Sequence, residues 1–196
     1  MDRLARYRLC LEVEADAIQQ TAHTVDKTVL DALDLLEHTT GKVIVTGVGK
    51  SGHVGRKIAA SFSSTGTPAH FMHAAEGVHG DLGMVTKDDL VVLLSHSGET
   101  QEVLNLLPSL KKIGVPLLAI THNAMSSLGT AVDEVITYVC TREADDLNLA
   151  PTTSSTVMLA IGDALAVTLS AKRHFGEKTF HLYHPGGSLG KALEKK

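Results

Sequence analysis

The run Lys42-Val43-Ile44-Val45-Thr46-Gly47-Val48-Gly49-Lys50-Ser51-Gly52 joins a β-branched segment to a glycine-rich loop that leads into a helical pattern. A second loop, Ser95-His96-Ser97-Gly98-Glu99-Thr100, follows an aliphatic run in the same way. A helix N-terminus exposes unpaired N–H groups and a partial positive charge, and glycine lets a ligand approach the backbone. Two such loops predict a site for a phosphorylated small molecule.

The pattern around the two loops alternates between strands and helices. Strands are expected at 42–46, 69–72, 90–94, 115–120 and 134–139, and helices at 54–64, 103–113 and 153–172. This alternation indicates a parallel sheet that is covered by helices on both faces. Because connections are short and right-handed, we predict an α/β fold: a three-layer αβα sandwich with a doubly wound five-stranded parallel sheet of order 2-1-3-4-5.

The segment before the first strand carries apolar residues at helical spacing. They are Leu4, Leu11, Ile18, Val25, Val29, Leu33 and Leu36. This spacing predicts one or two amphipathic helices, which end before Gly41. A chain of 196 residues with 43% apolar residues can bury one complete core. We therefore expect an N-terminal helical segment, residues 1–38, that packs on a single domain over residues 39–196.

Composition excludes several classes of partner. A net charge of −4 gives no basic surface for nucleic acid. Two cysteines without redox or metal spacing, and an N-terminus without an apolar signal core, favour a reducing cytoplasm. The longest apolar stretch, 157–169, is interrupted by Gly162 and Asp163 and is too short to span a bilayer. We predict a buried helix there and no membrane association.

The first loop partly matches three known motifs: a dinucleotide-binding loop, a nucleotide P-loop and a hydrolase nucleophile elbow. Gly47–Gly52 has the dinucleotide-binding spacing, but that motif needs an acidic residue at the end of the second strand, where the chain has His73. A nucleotide P-loop requires glycine where Ile44 stands. A hydrolase nucleophile elbow requires glycine where His53 stands. A loop for a monophosphate remains.

The chain resembles the sugar isomerase (SIS) domain of bacterial arabinose-5-phosphate isomerases from about residue 31 to residue 193. The segments that carry the resemblance are Gly47–Gly52, Ser64–Ala69, His79–Gly83, Ser95–Glu99, Leu149–Thr152 and His184–Gly190. The last segment is the most specific, because generic SIS domains share the serine loop but not His-Pro-Gly-Gly. Family members commonly carry a pair of regulatory CBS domains after it, and we expect an isomerase domain without that pair.

The resemblance implies interconversion of D-ribulose 5-phosphate and D-arabinose 5-phosphate through an enediol, which supplies the acidic eight-carbon sugar Kdo for lipopolysaccharide or capsule. This chemistry needs a base, a proton carrier and a group that stabilises developing charge. The matching catalytic candidates are Lys50, His79, Glu102, Glu143 and His184. Which of the histidines and glutamates takes the C2 proton stays open at this point.

Each catalytic candidate also has an ordinary structural explanation. The chain has 11 histidines, and a single histidine lies more often on the surface or in the core than in a catalytic site. Glu102 is expected in the first turn of a helix, where a carboxylate also serves as a cap. Glu143 lies in an acidic segment that would be a solvated loop without the resemblance. Lys50 is least easily explained as a solvated side chain, because it stands inside the glycine loop.

Substrate contacts are assigned partly from the loops and partly from the resemblance. The predicted substrate-binding residues are Gly49, Ser51, Gly66, Thr67, His73, His79, Ser95, Ser97 and Thr100. Histidines and a carboxylate at the spacing His73-x-x-Glu76-x-x-His79 suit zinc or nickel. The resemblance implies that His73 binds substrate or such a divalent metal. An enediol mechanism requires no metal, so we treat zinc as an optional, inhibitory ligand and expect no required cofactor.

The resemblance also implies a homotetramer whose active sites are shared between subunits. Pathway logic adds inhibition by the downstream nucleotide sugar CMP-Kdo. Two alternatives stay open: a non-catalytic SIS regulator that binds a sugar phosphate, and an isomerase of another sugar phosphate such as a hexose or heptose phosphate. The regulator would not need His79, His184 or the two glutamates, all of which are present.

Overall fold

Five short parallel strands form the central sheet of the computed structural model, which describes residues 2–185. The strands are β1 Val43–Gly47, β2 Ala69–His73, β3 Leu90–Leu94, β4 Leu117–Thr121 and β5 Glu134–Thr137. Their order is β2-β1-β3-β4-β5, and every neighbouring pair is parallel. The predicted doubly wound topology is confirmed.

Helices cover both faces of the sheet. They are α1 Arg3–His23, α2 Lys27–His38, α3 Gly49–Ser64, α4 Ala74–Gly77, α5 Gln101–Leu104, α6 Leu107–Ile113, α7 Thr153–Lys172 and α8 Glu177–Tyr183, and a 3₁₀ turn covers Asp81–Met84. Asp2 caps α1 by accepting a hydrogen bond from the Ala5 N–H, and Asp26 caps α2 through the Thr28 N–H. The N-terminal segment therefore forms two helices, which contact α7 and β5.

Strand side chains divide between two apolar cores because successive residues point to opposite faces of a sheet. Val43 and Val45 of β1 join the core under α2, α3 and α7, whereas Ile44 joins the core under α4, α5 and α6. All five residues of β1 are buried. A strand that is buried on both faces confirms the three-layer architecture.

Helix α7 is longer than the apolar stretch at 157–169, and its 20 residues are enough, by length and composition, to cross a membrane, contrary to the length argument from the sequence. Of its apolar window, 39% is buried inside the protein. Its buried side, which includes Val157, Leu165 and Leu169, belongs to the core against α3. A Cβ atom on Gly162 would overlap the side chain of Ile58. The glycine thus lets the two helices approach closely, and the predicted packing of α7 in the core is confirmed.

Several elements differ from the sequence prediction. Helix α3 begins at Gly49 instead of residue 54, β5 ends at Thr137 instead of residue 139, and α4 was not predicted. The expected helix at 103–113 is divided into α5 and α6, because Pro108 lacks an N–H and its ring would clash with the carbonyl of Leu104. Strand β4 begins at Leu117 instead of 115, immediately after Pro116. Helix α8 was not predicted. The Pro-Gly-Gly segment begins where α8 ends, and residues 186–196 lie outside the described residues.

The order of the strands reverses between β1 and β3, since β1 is flanked by β2 on one side and β3 on the other. Helix α3 begins directly after β1, and the loop Ser95–Thr100 begins directly after β3. Both loops therefore lie beside the crevice at the carboxyl edge of the sheet. Ligands bind at this switch point in open parallel sheets.

Candidate functional site

A cavity of about 390 Å³ lies at this crevice. Its wall includes five of the predicted site residues, namely Lys50, Ser51, Ser97, Thr100 and Glu143. The segment between β5 and α7 supplies Arg142 and Asn148 to the remaining wall, and the first turn of α7 supplies Ser154. The cavity is thus bordered by the two predicted loops and by a third segment, in which Glu143 was the one predicted site residue.

The first loop presents the N-terminus of α3 to the cavity. The residue before the helix is Val48, which provides no side-chain cap. Gly49 has a φ of +56°, a left-handed conformation that L side chains rarely adopt. Lys50 and Ser51 follow it and line the cavity. This helix end thus combines uncapped N–H groups, a hydroxyl and an ammonium group, which together suit an anion.

The second loop is held in shape by its own polar groups. The Ser95 and Thr100 hydroxyls lie 2.7 Å apart, and the Ser95 Oγ accepts a 3.0 Å hydrogen bond from the Gly98 N–H. Gly98 has a φ of +72°, and a Cβ there would overlap the Ser126 Oγ. Ser95 is 1% exposed, so its observed contacts brace the loop, whereas Ser97 and Thr100 line the cavity.

Glu143 is buried at the N-terminus of α7. Its Oε2 accepts hydrogen bonds from the Thr152 N–H at 2.8 Å, the Thr152 hydroxyl at 3.1 Å and the Ser154 N–H at 3.2 Å, while its Oε1 accepts one from the Ser154 hydroxyl. Burial raises the pKa of Glu143, but these hydrogen bonds outweigh burial and hold the pKa below its ordinary value. Glu143 is therefore a fixed anion that caps α7.

The loop between β5 and α7 is braced around Glu143. The Asn148 Oδ1 accepts a 2.6 Å hydrogen bond from the Glu143 N–H, and Asn148 has a φ of +55°. The Asp145 carboxylate accepts hydrogen bonds from three further amides of the loop. Arg6 of α1 lies 3.1 Å from the Asp146 carboxylate. The N-terminal helix thus helps to position one wall of the cavity.

The ring of His96, in the second loop, packs against the rings of His122 and Tyr138. His96 stacks on His122, with ring centroids 5.3 Å apart, and its Nδ1 lies 2.8 Å from the Tyr138 hydroxyl. Burial, followed by the neighbouring charge of His122, lowers the pKa of His96. Burial also raises the pKa of Tyr138 and raises the pKa of Cys140 to about 11. His96 and Cys140 line the cavity, and both pKa shifts favour the uncharged form of the side chain.

Sequence reasoning did not assign roles to His96, Cys140, Arg142 or Ser154. No spacing rule connects the segment around residue 140 with the serine loop, because β4 and β5 separate them along the chain. The hydroxyl-rich run Thr152-Thr153-Ser154-Ser155 is typical of a helix N-terminus, and the acidic segment shortly before it was the available signal for a carboxylate that accepts its N–H groups. The observed contacts pair that cap with Glu143.

Eight predicted residues do not line this cavity. Gly49 and Ser95 belong to the two loops that border it, and four others, Glu102, His79, His73 and His184, lie elsewhere in the chain. Glu102 is exposed in the first turn of α5, as predicted. His79 is exposed after α4, and His73 ends β2. His184 follows α8, where its ring stacks on Phe180 at 4.0 Å and its Nδ1 donates to the Phe180 carbonyl at 2.9 Å.

Gly66 and Thr67 precede β2 and therefore lie at the amino edge of the sheet, opposite the cavity. The Thr67 hydroxyl accepts a 3.0 Å hydrogen bond from Arg173, and Gly66 packs against the ring of Phe175, where a Cβ would overlap it. Within one chain, the structure separates these two predicted substrate residues from the cavity.

The predicted metal pattern does not converge within the described chain. His73 has a buried Nδ1 without a hydrogen-bond partner among the described residues, so it offers one ligand atom. Among residues 2–185, however, the one group of three potential ligands within 4.8 Å of one another is His96, Cys140 and Glu143. His73, Glu76 and His79 therefore do not form a three-ligand zinc site in this chain.

Fold and cavity together define a doubly wound α/β protein with a cavity at its topological switch point. The SIS domain family matches residues 36–168. A solved structure from Escherichia coli CFT073, in complex with A5P, superposes with a TM-score of 0.92 at 44% identity and covers 94% of this chain and 100% of that chain. The chain belongs to the SIS domain family.

Curated relatives extend the comparison. Arabinose 5-phosphate isomerase KpsF of Escherichia coli O6:H1 is 48% identical over 187 residues, which cover 95% of this chain and 57% of that protein. Arabinose 5-phosphate isomerase KdsD of Pseudomonas aeruginosa is 47% identical over 181 residues, which cover 92% of this chain and 56% of that protein. The chain spans little more than half the length of these relatives.

Proposed function

We propose that the chain is an arabinose-5-phosphate isomerase, which interconverts D-ribulose 5-phosphate and D-arabinose 5-phosphate through an enediol. The observation that carries this proposal is the close likeness, over nearly the whole chain, to the Escherichia coli structure in complex with A5P. The curated relatives named as this isomerase support the same substrate. The cavity supplies the anion-binding groups that a sugar phosphate requires.

The phosphate binds at the N-terminus of α3 in this proposal. Helix α3 has no side-chain cap, so its first N–H groups are available to an anion. The N-terminus of α7 also faces the cavity, but the Glu143 carboxylate already accepts its N–H groups. Ser51, Ser97 and Thr100 add hydroxyl donors, and the Lys50 ammonium stabilises negative charge on the phosphate or the enediolate.

Glu143 positions the cavity wall in this account. A general base works best with a pKa near the operating pH, whereas hydrogen bonds hold the pKa of Glu143 below its ordinary value. The candidates for moving the proton between C1 and C2, and for opening the sugar ring, are then Glu102, His79 and His184. An imidazole changes its charge near neutral pH and suits the proton carrier.

We propose a homotetramer with shared active sites, and the positions of the remaining predicted residues support it. His79, Gly66 and Thr67 are outside the cavity of their own chain, and the latter two are at the opposite edge of the sheet. His79, which is exposed, contacts substrate in this proposal only if a second copy brings it to the cavity. Thr67 is 3% exposed and accepts a hydrogen bond from Arg173 of its own chain, so a second copy does not reach it in this conformation. Exposed apolar side chains on α1, including Leu4 and Leu11, give such a copy an apolar surface.

The product feeds Kdo synthesis for lipopolysaccharide or capsule in this proposal, and the reaction takes place in the cytoplasm. The free thiols of Cys10 and Cys140 suit a reducing compartment. No cofactor is required, because enediol chemistry needs acid, base and charge stabilisation alone. We also propose CMP-Kdo as a feedback inhibitor. A thermal-shift titration tests it: stabilisation by CMP-Kdo is expected, and an unchanged melting temperature rejects it.

Substrate choice is tested with a panel of sugar phosphates. The metal-chelated protein is incubated separately with arabinose 5-phosphate, ribulose 5-phosphate, and ketose and aldose phosphates of six and seven carbons, and products are identified by NMR. Conversion of the two pentose phosphates alone is expected. Faster conversion of a hexose or heptose phosphate would identify that sugar phosphate, instead of arabinose 5-phosphate, as the substrate. Saturable binding without conversion of any member would favour the regulator.

A further inference from the structure

Three potential metal ligands meet at the cavity wall although they come from separate segments. His96 belongs to the loop after β3, and Cys140 and Glu143 belong to the segment after β5. A ring nitrogen of His96, the Cys140 Sγ and a Glu143 carboxylate oxygen all lie within 4.8 Å of one another. Glu143 is buried and the other two are half-buried, which distinguishes the group from an exposed acidic cluster.

We propose that His96, Cys140 and Glu143 form a binding site for a zinc-class divalent cation in the wall of the cavity. One nitrogen, one sulfur and one oxygen ligand make a three-ligand set that suits zinc and leaves a fourth position facing the cavity. Ligands of a tetrahedral zinc ion lie about 3.5 Å apart, so side-chain movements of about 1 Å bring these three groups into place. The proposal rests on this geometry and not on the proposed isomerase activity.

Neighbouring groups already orient the three ligands. The Tyr138 hydroxyl holds the Nδ1 of His96, which leaves Nε2 as the nitrogen for the metal. The Glu143 Oε2 accepts three hydrogen bonds, whereas Oε1 accepts one, from Ser154, and keeps a lone pair. Such outer contacts fix the orientation of ligands in metal sites.

Binding of the cation releases one proton, from the Cys140 thiol. The Cys140 thiol contacts the Arg142 carbonyl at 3.8 Å, as a weak donor. When its sulfur binds the metal, the thiol gives its proton to solvent and binds as a thiolate. His96 binds through the lone pair of its neutral ring, and Glu143 binds as the carboxylate that it already is.

Cobalt absorption tests the site directly. Chelator-stripped protein is titrated with Co²⁺, and a sulfur-to-cobalt charge-transfer band in the near ultraviolet is expected together with strong visible bands of four-coordinate cobalt. Cys140→Ser should abolish the charge-transfer band, and His96→Asn should weaken the binding of cobalt and zinc about 100-fold or more. Zinc should displace cobalt and remove the bands.

Two matched variants separate this site from the alternatives. Cys10→Ser removes the other cysteine, which lies on α1, and should leave the spectrum unchanged. His73→Asn removes the histidine of the predicted metal pattern and should also leave it unchanged. The proposal is overturned if the wild-type spectrum has no sulfur band or if the band survives Cys140→Ser. It is also overturned if Cys10→Ser or His73→Asn removes the band. His96→Asn provides the answer if Cys140→Ser does not fold.

Discussion

Glu143, a catalytic candidate in the sequence, has a structural role in the fold, because its carboxylate caps the N-terminus of α7. The sequence places it in an acidic segment, where solvation was the ordinary expectation, but the structure buries it and gives it four hydrogen bonds from Thr152 and Ser154. An acceptor-only carboxylate satisfies these donors, because an ionised carboxylate offers about four lone-pair positions.

Replacement of Glu143 by glutamine should destabilise the protein at neutral pH. The amide turns one acceptor oxygen into a donor, which then faces the donors of Thr152 or Ser154, and we expect a loss of about 2 kcal/mol in the free energy of unfolding. Urea unfolding measures it. Glu12→Gln, at an exposed position of α1, is the matched control, and its effect should stay within about 0.5 kcal/mol.

The Glu143 contribution should also depend on pH. Its pKa in the folded protein is below the ordinary value of 4.5, so the ionised form is stabilised by folding above that value. The stability difference between wild type and Glu143→Gln should be complete above pH 4.5 and should shrink as the pH falls through the folded pKa. A difference that stays constant through this range would contradict the role of the ionised carboxylate.

At the element scale, the contact between α3 and α7 fixes one layer of the fold. Gly162 of α7 faces Ile58 of α3, and a Cβ at position 162 would overlap the Ile58 side chain. Ile58 is fully buried, so it has little room to move. The start of each of these helices borders the cavity, and their spacing therefore also sets the spacing of two cavity walls.

Replacement of Gly162 by alanine should destabilise the protein by about 1–2 kcal/mol. Overpacking against Ile58 costs more than the gain in helix propensity of alanine over glycine, which is about 1 kcal/mol. Thermal or urea unfolding provides the measurement. Ile58→Val should reduce the penalty of Gly162→Ala in a double-mutant cycle. Additive effects of the two substitutions would show that the two side chains do not meet.

Much of the element structure was predictable from local patterns. The strands β1 and β3 are runs of β-branched and aliphatic residues, and the loops after them carry glycines at left-handed positions, so the crevice followed from the sequence. Pro108 and its effect on the helix could also have been recognised. The association of Glu143, His96 and Cys140 could not, because contacts between residues on separate loops depend on the packing of β4, β5 and α7.

Helix α1 exposes several large apolar side chains at helical spacing. Leu4 and Tyr7 are each 67% exposed and Leu11 is 53% exposed. Apolar residues in contact with water on one helix mark a surface for association. The proposed homotetramer would cover such residues and would bring exposed site residues, including His79, toward the cavity of another chain.

Light scattering after size exclusion should give the mass of four chains of 20.8 kDa. The double substitution Leu4→Asp and Leu11→Asp places charges on the apolar side of α1 and should shift the protein to a smaller species. Gln19→Asp, at an exposed polar position of the same helix, is the control and should leave the mass unchanged. A wild-type monomer would contradict the shared-site account.

The proposed isomerase site is the cavity between the two loops. Proton NMR of arabinose 5-phosphate with the metal-chelated protein in D2O tests this assignment, since an enediol mechanism exchanges the carbon-bound proton with solvent. We expect ribulose 5-phosphate with deuterium incorporation, and a loss of about 100-fold or more in kcat/KM for Lys50→Met. Lys87→Met, before β3 at the opposite edge of the sheet, should behave as wild type. Unchanged exchange in Lys50→Met, or a folded wild type that exchanges no deuterium, would contradict the assignment.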